Sequence, residues 1–206
     1  MDKKLYSSKN MKIYYNELDE KTILDIEKSV LEGKNKTLEY FEIQGYDKEI
    51  IIDVFDSIEE LHLDVFGEKK EEWLVSCENG EYGIKVVSPL NPGNVHNYEV
   101  ILEVISKSVA DIILKNNFKN IPKWLDITTY ITGLNTETKT NSKPSIIKLK
   151  EEGYFNFSDC YFITRYMVEI FGKETIIKIL KNPTKYNEIL KLSDKEIDEK
   201  IKEYYS

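Results

Sequence analysis

This sequence predicts an α+β fold: a small β-sheet with helices, followed by a mainly helical lobe. Three observations predict it. Residues 49–55 (EIIIDVF) form a β-branched run of strand length. Residues 73–77 and 82–87 are two further strand-like runs on either side of Glu78-Asn79-Gly80, which is a hairpin pattern. After Ser88-Pro89-Leu90-Asn91-Pro92-Gly93-Asn94 the apolar residues change to helical spacing and keep it to the last residue.

Each element has its own reason. Residues 1–10 are polar and read as a loose N-terminus. Residues 12–15 read as a strand in which Ile13 and Tyr15 alternate with polar neighbours. Residues 19–44 place Ile23, Leu24, Ile26, Val30, Leu31, Leu38 and Phe41 at mostly helical spacing, with Gly33 as a point of interruption. The continuous run 49–55 suits a central strand, buried on both faces. Ser57 and Glu60 stand at capping-box spacing before a helix over 58–66, where the hydroxyl and the carboxylate each take an orphan N–H. Residues 98–115 align Ile101, Val104, Ile105, Ser108, Val109 and Ile112 in one stripe of a buried helix.

A second helix is expected over 121–134, and the polar stretch 135–145 (NTETKTNSKPS) reads as an exposed loop. Ser158 can cap a helix running to Phe171, with Gly172 as its stop. Asn182-Pro183 opens another short helix, because proline in a first turn gives up an N–H that has no partner there. Ser193 and Glu196 make a second capping box before the last helix. The expected organisation is a loose segment 1–10, an α+β lobe 11–92 and a helical lobe 93–206, forming one compact unit overall.

Bulk properties narrow the function classes. The chain has 206 residues, 41% of them hydrophobic and 12% aromatic, enough for a real core. Its formal net charge is −8 and no basic stripe interrupts the acidic balance, which argues against a nucleic-acid partner. No apolar run approaches the roughly 20 residues needed to span a bilayer, and no signal peptide is visible, so the expected location is the cytoplasm. Cys77 and Cys160 read as free thiols in that setting. The composition does not fix an oligomeric state.

The stretch 105–127 (VISKSVADIILKNNFKNIPKWLDI) reads as a buried helix, a short turn and a second helix opening at Ile121-Pro122-Lys123-Trp124-Leu125. It resembles the zinc-binding core of the gluzincin metallopeptidases, the peptidase-MA-like family. There H-E-x-x-H lies on the first helix, and the second begins with a W-L-x-E-G-like stretch carrying the third ligand. Tyr161-Phe162-Ile163-Thr164-Arg165-Tyr166-Met167, then Phe171-Gly172-Lys173-Glu174, resembles the family's C-terminal helix pair. The order of strands and helices before it resembles the family's front half, so the resemblance covers about residues 11–182. It implies a zincin-like fold.

The resemblance also implies a site without its chemistry. Lys107-Ser108-Val109-Ala110-Asp111 occupies the H-E-x-x-H slot, and Ile127 falls where the third-ligand glutamate would be. The loss does not depend on that register. Zinc on a helix needs two imidazoles at i and i+4, and the chain holds only His62 and His96, far apart. Lysine is a poor ligand at neutral pH, Ser108 cannot act as the general base, and without the ion the bound water keeps an ordinary pKa. No cofactor and no metal are expected. Lys107 and Asp111, spaced i, i+4, either form a half-buried pair on the floor of a former metal site or are solvated residues of an outer face.

Other residues were weighed for a cleft. His62 reads as a surface or rim residue of a helix, and His96 as a loop residue with a local hydrogen bond. Tyr161 is the tyrosine that the resemblance would aim at a developing oxyanion, beside Tyr154 and Tyr166; without a metal, packing is the expected role. Trp124 reads as a core anchor. Arg165, the sole arginine, is expected to pair with a carboxylate. Ser145-Ile146-Ile147-Lys148 matches S-x-x-K, a short pattern in a chain rich in both residues.

The expected function is that of a catalytically inactive, peptidase-like protein, a pseudoenzyme that binds a peptide or protein or serves as a scaffold. In the family the strand before the zinc helix is an edge strand that pairs with extended substrate. Here that strand would be 82–87, with Tyr82, Ile84 and Val86 lining the cleft together with His96, Trp124 and Tyr161. Two other readings stay open: a hydrolase with a non-standard site or metal, and a structural or interaction protein that makes no use of the cleft.

Overall fold

The computed structural model describes residues 3–134, 144–152 and 157–206. The fold is α+β, with a five-stranded mixed sheet and helices along most of the remaining chain. The chain divides into two compact units, Met1–Asn116 and Asn117–Ser206.

The first unit contains β1 (Lys4–Ser8), β2 (Met11–Tyr15), α1 (Ile23–Phe41), β3 (Ile50–Phe55), α2 (Ile58–Phe66), β4 (Ser76–Glu78), β5 (Gly83–Val87) and α3 (Tyr98–Asn117). The spatial order of the strands is β1-β2-β3-β5-β4. β2, β3 and β5 run parallel, whereas β1 and β4 lie antiparallel at the two edges. β3 is central, as its β-branched composition predicts, with Ile50, Ile52 and Val54 buried. α1 and α3 carry the rest of the core: Ile23, Ile26 and Val30 on one, Ile101, Ile105, Val109, Ile112 and Ile113 on the other.

Three expectations are corrected here. Residues 4–8 are not loose: they form β1, paired with β2 from Lys4↔Tyr15 to Ser8↔Met11. Gly33 does not interrupt α1, which runs through it. Its missing side chain serves packing, because a Cβ there would lie 2.1 Å from the Ser106 carbonyl oxygen of α3. The boundary between units falls at 116/117 and not near 92, because α3 packs its apolar stripe into the sheet's own core. The Pro-Gly stretch is a loop inside the first unit.

The second unit contains α4 (Ile127–Thr132), α5 (Ile146–Glu152), α6 (Phe157–Lys181), a 3₁₀ turn (Pro183–Lys185), α7 (Tyr186–Leu190) and α8 (Asp194–Tyr204). Gly172 breaks α6 at φ 77°, ψ 163°, a conformation essentially reserved for glycine, so the predicted stop is a kink between two helical stretches. Ser193 and Glu196 form the predicted reciprocal capping box. The expected helix over 121–134 is shorter. Residues 121–126 form a turn, with the Leu125 N–H on the Pro122 carbonyl, and Asp126 then caps α4. An aspartate favours the non-helical cap geometry over a helix interior, which displaces the helix start. Of the expected loop 135–145, residues 135–143 lie outside the described residues, as does Tyr154.

Among the described residues no helix is long and apolar enough to cross a membrane.

Candidate functional site

On α3, Lys107 Nζ donates to Asp111 Oδ2 at 2.7 Å, and both side chains are half-buried. The two side chains are therefore paired and half-buried, not fully solvated. Ser108 is half-buried beside it. Lys107, Asp111 and Lys115 recur every four residues and so share one stripe of the helix. Lys115 closes an ion pair with Glu78 of β4, so this stripe ends on the edge strand. A lysine–aspartate pair next to a serine lacks the imidazole donors that a helical zinc motif needs. Among the described residues no group of three or more His, Cys, Asp or Glu could hold a metal ion.

The two histidines are committed elsewhere. His62 is not a rim residue. It is fully buried, its Nδ1 accepting from the Lys70 backbone N–H at 3.0 Å and its Nε2 lying 2.7 Å from the Leu74 carbonyl oxygen. Nδ1 must be the acceptor, so Nε2 carries the proton. The loop 67–75 folds over the ring, and the helix pattern alone does not reveal that partner. His96 makes the expected loop contact, Nε2 to the Trp73 carbonyl oxygen at 3.1 Å.

The strand expected to be an open edge is not one. β5 pairs with β3 from Ile51↔Gly83 to Phe55↔Val87 and with β4 from Ser76↔Val86 to Glu78↔Ile84. Both of its sides are occupied, so it cannot accept a further strand. Ile84 and Val86 are buried in the core and line no cleft. Tyr82 is half-buried and precedes the strand, its carbonyl accepting the Ile51 N–H.

On this side of the sheet the edge is β4, with β1 at the opposite edge; β4 is shorter than the predicted 73–77 and shifted toward the turn. Its alternation settles which groups face outward. The Val87 N–H bonds the Val75 carbonyl, and the Asn79 N–H bonds the Gly83 carbonyl. Antiparallel pairs alternate, so Val75, Cys77 and Asn79 point their backbone groups at β5, whereas Ser76 and Glu78 point theirs away. No backbone partner for these outward groups occurs among the described residues.

In the second unit, Ile127 is fully buried as the first residue of α4. Trp124 is buried as expected, its ring edge-on to Tyr186 with centroids 5.3 Å apart. The turn that holds it is pinned to α6, where Thr164 Oγ1 accepts from the Asp126 N–H at 2.8 Å. Tyr161 is half-buried and packs edge-on against Phe162. Arg165 meets its carboxylate through Nε, on Glu169 at 2.8 Å. The Tyr204 hydroxyl also donates to Glu169, and that bond, with Arg165, holds the Glu169 carboxyl below its ordinary pKa despite partial burial. Ser145 is a helix cap and not a nucleophile. Its Oγ accepts the Lys148 N–H and donates to Asp198, which also takes the Ile146 N–H at 2.7 Å. Both thiols are free, and burial pushes that of Cys160 up to about 12.

Sequence reading missed Asp19. It is fully buried, with Oδ1 accepting from Ser88 at 2.7 Å and Thr22 at 3.2 Å, while Oδ2 has no partner among the described residues. Burial, with the charge of Asp56, pushes its carboxyl above the ordinary value. A carboxyl that holds its proton more tightly folded than unfolded favours folding least when ionised. Its penalty is absent below the unfolded value near 3.9 and grows as pH rises through the raised folded value. Asp19→Asn is therefore expected to remove this decline. Urea unfolding of both proteins over that range checks it: parallel pH profiles would show that Asp19 is not the source.

Comparison with protein-family models and with curated proteins finds no match for this chain.

Proposed function

We propose that this chain is a catalytically inactive, metallopeptidase-like protein that binds an extended peptide segment along the outer edge of β4. The observation that carries this reading is the outward pair of N–H and C=O groups on Ser76 and Glu78, a template for strand addition. Two residues supply up to four main-chain hydrogen bonds, each worth about 1 kcal/mol net, which suits a reversible ligand. The shortness of β4 limits indiscriminate edge pairing.

In the gluzincins the strand before the zinc helix takes the substrate; here β5 is paired on both sides, and the free edge is that of its hairpin partner β4. One ion pair, Lys115 with Glu78, joins the helix bearing the proposed degenerate motif to that edge strand. With both histidines engaged elsewhere and Lys107 at the ligand position, this helix lacks the zinc ligands that hydrolysis of a bound peptide would need.

Ser76→Pro tests the reading. Proline removes the outward N–H of Ser76 but no bond to β5, so the sheet is expected to survive. In a random-heptapeptide selection, wild-type binders are expected to shift the amide resonances of Ser76 and Glu78. Their affinity should fall at least about tenfold in Ser76→Pro. Binders that ignore the substitution, or chelator-sensitive peptidase activity, would overturn the proposal.

A further inference from the structure

The two units differ sharply in charge. Met1–Asn116 holds 14 Lys against 24 Asp and Glu, a formal −10, whereas Asn117–Ser206 holds 14 Lys and one Arg against 13 Asp and Glu, or +2. The acidic excess of the first unit reaches the β4 edge. Glu71 and Glu81 flank the strand at its two ends, both exposed, and neither has an ion-pair partner within 4 Å among the described residues. Four lysines near the strand already have carboxylate partners: Lys115 with Glu78, Lys85 with Asp64, Lys70 with Glu68 and Lys69 with Glu72; Lys48 lies 5.9 Å from the Tyr82 ring centroid. Three residues before the strand, Trp73 leaves 50% of its surface open, and an indole face attracts cations.

We infer that the segment accepted by β4 is basic, an extended stretch of a partner protein carrying Lys or Arg at alternate positions. The inference rests on the proposed binding at β4 and adds the chemistry of the ligand. Main-chain pairing is indifferent to sequence, so the selection must come from side chains. Alternate residues of an added strand project to the same side, so lysines at every second position present one row of positive charge to the acidic surface around β4. A cationic segment gains attraction to these exposed carboxylates and to the field of the unit, and an acidic segment is repelled by both.

The test uses three acetylated, amidated heptapeptides on the full chain: Thr-Lys-Val-Lys-Val-Lys-Thr and its counterparts with Glu or Ser in place of Lys. Fluorescence anisotropy is expected to give the Lys peptide at least about tenfold tighter binding than the Glu peptide. The advantage should shrink as salt rises from about 50 to about 300 mM, because exposed charges are screened within a Debye length of about 10 Å or less. The double variant Glu71→Lys/Glu81→Lys should lose most of it, with thermal unfolding confirming the fold. Equal affinities for the Lys and Glu peptides, or a preference untouched by the double variant, would overturn the inference while leaving strand addition standing. If no peptide shifts the Ser76 and Glu78 amides, strand addition itself fails, and the inference with it.

Discussion

Gly33→Ala is expected to destabilise the first unit by about 3 kcal/mol or more. Helix propensity alone predicts the opposite, since alanine in the middle of α1 should gain about 1 kcal/mol over glycine. Packing overrules it. A Cβ at position 33 would lie 2.1 Å from the Ser106 carbonyl oxygen and 2.8 Å from its carbonyl carbon, both backbone atoms of α3. No side chain can rotate away to relieve the contact. The two helices would have to separate, loosening Ile26, Val30, Ile105 and Val109 together. Chemical denaturation reads the effect directly, and thermal unfolding should show a fall of roughly 10 °C. A neutral or stabilising result would mean that α1 and α3 do not approach this closely.

Trp124→Ala is expected to cost about 3–5 kcal/mol in the second unit, the range for removing a large buried aromatic. The indole is only 3% exposed and rests edge-on against Tyr186. The backbone around it cannot easily collapse. The Asp126 N–H is tied to Thr164 Oγ1, and the Lys123 carbonyl accepts the Cys160 thiol at 3.6 Å. A cavity should therefore remain. Trp124→Phe should be much milder, because the indole N–H has no partner to lose among the described residues. Thiol labelling gives an independent readout: Cys160 is buried, and its labelling should accelerate in Trp124→Ala and stay slow in Trp124→Phe. Equal stability of all three proteins would remove Trp124 from the core.

The elements that were legible in the sequence are those whose cause is local. The capping box at Ser193, the cap at Ser57 and the kink at Gly172 each depend on a few adjacent residues. The β-branched composition of 50–55 marks a central strand, although Ile50, Ile52 and Val54 are buried while Ile51 and Asp53 on the other face are only half-buried. The Lys107–Asp111 pair needs only the helical repeat. Apart from β1, which pairs with its sequence neighbour β2, the main misreadings involve partners distant in sequence. His62 lies on a helix pattern that reads as a rim, yet the 67–75 loop closes over it. Asp19 is an ordinary acidic residue of a turn until Ser88 arrives from the end of β5. The 121–134 pattern has helical spacing throughout, but the Asp126 cap and its tie to Thr164 shorten the helix.

The same division applies to the candidate site. The sequence by itself determines that the helical H-E-x-x-H motif is missing, because the chain's two histidines, His62 and His96, are far apart. It also determines the strand–helix order, the acidic balance and the spacing of Lys107, Asp111 and Lys115. Only the tertiary structure decides which strand of the β4–β5 hairpin is an edge. Alternation along a strand reports which face is buried, and it is silent on which strands stand to either side. The hairpin at Glu78–Gly80 permits β4 or β5 to lie outermost; the parallel pairing of β5 with β3 puts β4 there, and with it Ser76 and Glu78, whose backbone groups no local pattern distinguishes.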